Sequence, residues 1–328
     1  MTILLTGGLG FIGSNFIRKW SNITDERVIC VDNNQLNTLD EHIDLFEEKN
    51  QLIVTSIGTK EKIKDICLNY LPRFVINFAA ESNVDKSIKN PFDCYQNNCS
   101  ETLLFLEAIT DYFTNDLQNK EDFQFIQIST DEVYGSLEKE QKKSSEIDLL
   151  KPMNPYSASK AACEHMLIAF HNTYGLPYKI SRCTNNFGPF QSLEKLIPKT
   201  INSFLNKKNV PIFGKGDQIR DWIYVDDHIN GILKLIEVPE RQIVVNIGAN
   251  NEMTNLEIVK KIATLLDEML PIKGKTYKDK LDFIEDRPGH DQRYAVNTTK
   301  LKALTNWEPT FDFEKYLKNT ILFYLRSK

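Results

Sequence analysis

A short apolar run, Ile3 to Thr6, breaks into Gly7-Gly8-Leu9-Gly10-Phe11-Ile12-Gly13-Ser14 and resumes as an amphipathic stretch to about Trp20. A strand fed through such a turn into a helix has few folded outcomes. Gly7, Gly10 and Gly13 permit the tight turn, let backbone N–H groups approach a pyrophosphate at the helix N-terminus, and let helix and strand pack closely. The spacing is GxxGxxG rather than the GxGxxG of the general dinucleotide fingerprint, so the glycines alone do not define the ligand. The next strand, Val28 to Val31, ends at Asp32, about 20 residues beyond the glycines, where a carboxylate accepts hydrogen bonds from ribose hydroxyls. A 2′-phosphate would be repelled there, which favours NAD over NADP.

Strand and helix signals keep alternating: Leu52 to Val54, a helix Lys60 to Tyr70 stopped by Pro72, Phe74 to Phe78, a long helix from Pro91 to about Tyr112, and the apolar run Phe123 to Ile128. This rhythm predicts an α/β fold built on a Rossmann-type doubly wound parallel sheet. Ala79 to Asp85 follows a central strand at its carboxyl end, where ligands of such sheets sit. A helix from Tyr156 to Tyr174 ends at Gly175 as C-cap and leads into strand Tyr178 to Arg182. The rhythm then fades through a helix Leu193 to Asn206, strands Val210 to Phe213 and Arg220 to Val225, and turn residues between them. Helix Asp227 to Glu237 and strand Val244 to Ile247 read as a return to the main sheet, before a helix Leu256 to Met269 and a last one from about Phe313. The expected division is an NAD-binding domain over 1–182, with return segments near 222–248, and a smaller, interleaved C-terminal substrate lobe over 183–328. Leu137 to Met153, mostly polar, is expected to be a surface excursion.

A net charge of −5 argues against a nucleic-acid or membrane-surface partner, which calls for a basic excess. No apolar run approaches the ~20 residues needed to cross a bilayer, and the N-terminus reads as a strand rather than a secretion signal. Six scattered cysteines without a CxxC, and five unclustered histidines, predict buried thiols in the reducing cytoplasm and no metal site.

The chemistry gathers at Ser129-Thr130-Asp131-Glu132-Val133-Tyr134-Gly135, which ends an apolar strand, and at Tyr156-Ser157-Ala158-Ser159-Lys160. Four residues advance about 6 Å along one helix face, so Tyr156 and Lys160 project into the same space. A phenol needs roughly 4 kcal/mol of help to act as a base near neutral pH. One cation about 4 Å away supplies about that much at an effective dielectric of 20. Lys160 is therefore expected to activate Tyr156, with a positive nicotinamide adding to it. An isolated YxxxK is usually a surface pair; the hydroxyl and carboxyl groups nearby change that reading.

With these motifs assembled, the sequence resembles the extended short-chain dehydrogenase/reductase family and, within it, the nucleotide-diphosphoglucose 4,6-dehydratases. The likeness runs almost the whole length, through Thr6 to Ser14, Ala79-Ala80-Glu81-Ser82, Ser129 to Gly135, Tyr156 to Lys160, Asn185 to Pro189, Glu194 to Pro198, Arg220-Asp221-Trp222 and Asp286 to Asp291. Thr130-Asp131-Glu132 is the most discriminating piece, because related 4-epimerases and decarboxylases of nucleotide sugars typically lack the Asp-Glu pair. The resemblance implies oxidation at carbon 4 of the sugar with Tyr156, Lys160 and Thr130 at that hydroxyl, then removal of the carbon 5 proton by Glu132 and protonation of the carbon 6 hydroxyl by Asp131. It implies NAD held by Gly7, Gly10, Phe11, Ile12, Gly13, Asp32, Ile57, Ala79, Ala80, Tyr156 and Lys160. It further implies a nucleotide-sugar substrate held by Ser82, Thr130, Asn185, Lys195, Leu196, Pro211, Phe213, Arg220, Asn255, Arg287 and His290, with Lys195, Arg220 and Arg287 facing the diphosphate and Phe213 stacked on the pyrimidine.

Relatives form homodimers through helices matching Pro91 to Tyr112 and Tyr156 to Tyr174. Departures from the pattern are Asn83 for the usual His, Phe187 and Phe213 for usual tyrosines, and Ser56 for an Asp that contacts adenine. The loop Asn33 to Asp40 also lacks the common Tyr-Ala-Gly segment. Thymine and uracil remain open as the base. A 4-epimerase or decarboxylase on the same fold, and a non-catalytic NAD- or sugar-nucleotide-binding scaffold, are the competing readings.

Overall fold

The computed structural model describes residues 2–286, 290–310 and 312–326. Seven strands form the main sheet: β1 (Thr2–Thr6), β2 (Arg27–Asp32), β3 (Gln51–Val54), β4 (Phe74–Asn77), β5 (Gln124–Thr130), β6 (Tyr178–Cys183) and, after a long excursion, β10 (Gln242–Ile247). Their order is β10-β6-β5-β4-β1-β2-β3 and every pairing is parallel. Chain order reverses between β1 and β4, with Leu5 opposite Ile76 across that seam. Such a doubly wound sheet is Rossmann-type, and the reversal opens a crevice beyond the strand ends.

Burial on both faces explains the continuous apolar strands. Ile3 and Leu5 point to one face, where Phe16, Ile17 and Trp20 of the helix Phe11–Ile23 meet Ile229, Ile232 and Leu235 of the helix Val225–Glu237. Leu4 and Val75 point to the other, against Ile63 and Ile66 of the helix Lys60–Tyr70, Phe105 and Ile109 of Glu101–Asp111, and Leu167 of Pro155–Tyr174. Strand side chains alternate between faces, so one strand serves both cores.

Five short strands build the remainder: β7 (Asn185–Phe187), β8 (Val210–Phe213), β9 (Ile219–Tyr224), β11 (Glu252–Thr254) and β12 (Leu281–Ile284). They pair as β11-β9-β7 and β12-β8. A third apolar cluster joins the helices Leu196–Leu205, Asn255–Met269 and Phe313–Arg326 to β8 and β9 through Ile201, Ile212, Trp222, Ile262 and Leu317.

Three expectations need correcting. The single helix from Pro91 is Pro91–Tyr95, a π-turn Gln96–Ser100, Glu101–Asp111 and a second π-turn Tyr112–Asp116. The first π-turn carries Asn98, whose amide donates to the Glu81 carbonyl (3.0 Å) and the Ser159 hydroxyl (2.8 Å); widened turns often mark functional sites. The helix expected from Leu193 starts at Leu196, because the residues before it are drawn to the 79–85 loop: Glu194 accepts from Asn83 Nδ2 (2.6 Å) and Lys195 Nζ donates to the Ser82 carbonyl (2.7 Å). The excursion after Leu137 is not wholly superficial. Ile147 and Leu149 are exposed, yet Leu137 and Ser144 are buried, with Ser144 N–H donating to the Ala295 carbonyl.

Candidate active site

A cleft of about 970 Å³ lies at the carboxyl ends of the strands, and its walls include the glycine turn, the end of β5 and the start of the helix Pro155–Tyr174. At its dinucleotide end Gly7 sits at φ +71°, and a Cβ there would fall 2.6 Å from the Ala79 nitrogen. A Cβ on Gly13 would fall 2.3 Å from the Gly7 carbonyl oxygen. Among the described residues no side chain caps the helix Phe11–Ile23, and Gly10, Phe11, Ile12 and Gly13 all line the cleft, so first-turn N–H groups are placed for phosphate oxygens. Asp32 accepts from Leu9 N–H (3.0 Å) and Asn34 N–H (2.8 Å), bracing the turn; burial raises its pKa and these two donors oppose the rise. Ile57, Ala79 and Ala80 line the same end. This cradle fits a dinucleotide.

At the other end Thr130 closes β5 and caps the 3₁₀ turn Asp131–Tyr134, accepting from Glu132 N–H (3.3 Å). Asn154 caps the helix Pro155–Tyr174 by accepting from Ser157 N–H (2.9 Å), with Pro155 at its first turn. Tyr156 and Lys160 thus enter the cleft beside Thr130, Asp131 and Glu132, and all five line it. Asp131 is buried, and its Oδ2 has no hydrogen-bond partner among the described residues. Burial, then the charges of Glu132 and Asp221, push its pKa well above the carboxylate range, against the pull of Arg220. Burial also raises Glu132, but Arg220, Lys195 and a 3.4 Å hydrogen bond from Asn154 oppose it. The pair is therefore biased toward a neutral Asp131 beside a more readily ionised Glu132, the split that acid and base work requires.

Tyr156 departs from expectation. Its pKa lies well above 10, first through burial and then through the acidic groups beside it, Glu132, Cys183 and Asp131, whose ionised forms oppose a phenolate. Lys160 is itself lowered by burial and donates to the Ile128 carbonyl at 2.7 Å, so its ammonium is tied to the strand. The fold thus holds the phenol protonated, and a lysine four residues away does not by itself reverse the burial.

Of the positions assigned to the sugar nucleotide, Ser82, Thr130, Asn185 and Lys195 line the cleft. Leu196 begins the helix next to Lys195. Pro211, Phe213, Asn255 and His290 lie outside the lining. Pro211 sits in β8 opposite Asp282, while the other three gather around the Gly214–Gln218 turn: Asn255 N–H donates to the Gln218 carbonyl, Phe213 meets His290 edge-on at 6.3 Å, and His290 Nδ1 is 2.7 Å from Asp286. Arg220 is turned onto the Asp291 carbonyl (2.9 Å) and the face of Tyr294 (4.5 Å), where its charge bears on both acids. Arg287 lies outside the described residues. Three contributors went unpredicted. Asn154 links the helix cap to Glu132. Behind Ser129, Glu164 takes a forked ion pair from Arg182 (2.6 and 3.0 Å), and Arg182 also donates to the Tyr134 hydroxyl (2.8 Å). The asparagine immediately before the helical Pro-Tyr was a readable cap signal; the ion pair, 18 residues apart in sequence, was not.

A doubly wound sheet with a glycine cradle, and a Tyr/Lys helix beside a carboxyl pair, define an extended short-chain dehydrogenase/reductase. The family model described as GDP-mannose 4,6 dehydratase matches residues 4–320, and the chain belongs to that family. It is 40% identical to the dTDP-glucose 4,6-dehydratase of Haemophilus influenzae over 331 residues, covering 99% of this chain and 98% of that protein. The crystal structure of dTDP-glucose 4,6-dehydratase from Bacillus anthracis in complex with NAD superposes with a TM-score of 0.86 at 35% identity, covering 100% of this chain and 97% of that one. The dTDP-glucose 4,6-dehydratase of Streptomyces venezuelae, crystallised with NAD, gives 0.87 at 30% identity, covering 99% and 97%.

Proposed function

We propose that the protein is an NAD-dependent dehydratase that converts dTDP-glucose to its 4-keto-6-deoxy sugar. The observation that carries this is the Asp131-Glu132 pair, a buried Asp131 held well above the usual carboxylate range beside a half-buried Glu132, in one cleft with Tyr156 and a dinucleotide cradle. NAD, when bound, accepts a hydride from carbon 4, returns it to carbon 6, and adds a positive charge to the cleft. Tyr156, once ionised, takes the carbon 4 hydroxyl proton while Thr130 hydrogen-bonds the same oxygen. The resulting ketone acidifies the carbon 5 proton, which Glu132 removes. Asp131 gives its proton to the carbon 6 hydroxyl, which leaves as water; Glu132 gives a proton back to carbon 5, and the proton gained by Tyr156 is released as Asp131 takes one up, which resets the site. Asp131's neutrality also removes one of the charges that oppose ionisation of Tyr156.

Incubation with dTDP-glucose and with UDP-glucose in separate deuterated reactions tests the reading by mass and NMR. A 6-deoxy ketone with deuterium at carbon 5 is expected from dTDP-glucose. A product epimerised at carbon 4, without carbon 5 exchange, would instead make the protein an epimerase, and no turnover would return the binding-scaffold reading.

The same proposal assigns residues 1–182 and the 222–248 return to cofactor binding and most of 183–328 to the sugar nucleotide. It includes a homodimer, supported by exposed Phe92, Tyr95, Leu103 and Leu104 along the Pro91–Asp111 helical run. A monomeric mass by light scattering would reject it. A cytoplasmic site of action is supported by six buried, free thiols. Among the described residues no helix is long and apolar enough to cross a membrane.

A further inference from the structure

Phe190 is a non-glycine residue held at φ +65°, a conformation that costs free energy unless surrounding contacts enforce it. Three elements do so. The Arg18 guanidinium lies over its ring at 4.6 Å, His42 meets it edge-on at 5.0 Å, and Phe323 of the last helix meets it edge-on at 4.7 Å. Its neighbours are tied the same way: Pro189 accepts from Asn15 Nδ2 (3.0 Å) on the glycine-turn helix, and Gln191 accepts from the Tyr324 hydroxyl. The segment from Pro189 to Lys195 therefore crosses from the dinucleotide-binding helix to the C-terminal helix. Phe190, Gln191, Phe323 and Tyr324 line the cleft together with Gln35, Leu36 and Glu41, which follow Asp32 in the chain.

We propose that this ring cluster is a latch over the adenosine end of the cleft, with Phe190 as the positioning residue that slows departure of the dinucleotide. The proposal rests on the NAD reading above. A cofactor that ends each cycle in its starting oxidation state has no need to exchange, so a strap that slows its release costs no turnover. At its other end the same segment carries Lys195, whose charge acts on Glu132, so retention of cofactor and placement of the base share one piece of chain.

The test uses the full-length protein and Phe190→Gly, which deletes the ring while suiting the left-handed backbone, together with Phe323→Ala and the conservative Phe190→Tyr. Each is loaded with NAD, desalted, and the nucleotide remaining after timed intervals is released by heat and quantified. Wild type and F190Y should retain it. F190G and F323A should lose it about tenfold faster, as expected for loss of one or two packed aromatic contacts, and the NAD concentration for half-maximal rate should rise while the KM for the sugar nucleotide holds. Equal retention by F190G and wild type overturns the latch and leaves the NAD reading intact. A wild-type protein that neither carries nor takes up NAD overturns the NAD reading and the latch with it.

Discussion

Replacing Asp131 with asparagine keeps the shape of the side chain and removes only the proton it can give. Burial and the Glu132 charge hold the carboxyl neutral, so the substitution exchanges one neutral group for another. Loss of a positioned general acid costs about 10²- to 10⁴-fold, or roughly 3 to 5 kcal/mol in the barrier to water loss. Carbon 4 oxidation should survive, and reduced nicotinamide should accumulate in a single-turnover absorbance trace. Were Asp131 ionised instead, its removal would take a like charge from beside Glu132, worth about 3 kcal/mol at ~5 Å and an effective dielectric of 20, or roughly two pH units. Because Glu132 must be ionised to act as a base, activity falls as pH drops through its raised pKa, and the position of that acid limb reads the difference. The acid limb of kcat/KM in D131N should stay within about half a unit of wild type. Unchanged turnover, or a two-unit shift of the acid limb, would refute the assignment of Asp131 as the neutral acid.

Other outcomes follow from single contacts. Asn154→Ser keeps a helix-capping oxygen but cannot reach Glu132 as a donor, so kcat should fall several-fold with the melting temperature nearly unchanged, whereas Asn154→Ala should also lose about 1 kcal/mol of stability by denaturant titration. Gly13→Ala sets a methyl against the Gly7 carbonyl and should abolish NAD binding by calorimetry while the fold survives by circular dichroism. His228 is fully buried with its pKa lowered to about 3, so the unfolded chain takes up its proton first as pH falls. Its contribution is present above about pH 6.5 and is lost as pH falls toward 3, up to roughly 3–5 kcal/mol. His228→Gln should flatten that stretch of the stability–pH curve measured by urea titration.

The elements of the main sheet were legible because each carries its own punctuation. The helix Lys60–Tyr70 and strand Val210–Phe213 begin and end where Pro72 and the flanking polar residues predict. The return of Val244 to Ile247 to the main sheet was readable from its apolar run, and the structure sets it beside β6. Local spacing also brought Thr130, Asp131, Glu132, Tyr156 and Lys160 into one place. What escaped depends on distant partners. The left-handed Phe190 is enforced from 172 residues upstream and 133 downstream, by Arg18 and Phe323 (190 − 18 and 323 − 190). The raised pKa of Tyr156 escaped for the same reason: helical spacing places a lysine nearby but says nothing of how deeply the phenol is buried or of the carbonyl that claims the ammonium.

Burial drives every reactive group here away from its charged form: Asp131, Glu132 and Tyr156 are raised and Lys160 is lowered. A site built this way is held in shape from outside, and the Glu164–Arg182 pair is where that support concentrates, because Ser129, hydrogen-bonded to Glu164, directly precedes Thr130. Removing one partner strands a buried charge. Glu164→Gln should therefore destabilise the protein by roughly 3–5 kcal/mol. Replacing both with methionine should recover most of the stability, since apolar pairs of similar volume often match buried ion pairs. The Ser129 hydroxyl would still lose its acceptor, so the end of β5 would lose one of its ties to the catalytic helix and keep the Lys160 bond to the Ile128 carbonyl. The double variant should regain its melting temperature and keep a depressed kcat, with the loss in water elimination measured by single turnover. If kcat returns together with stability, the pair serves the fold alone and the positioning argument fails.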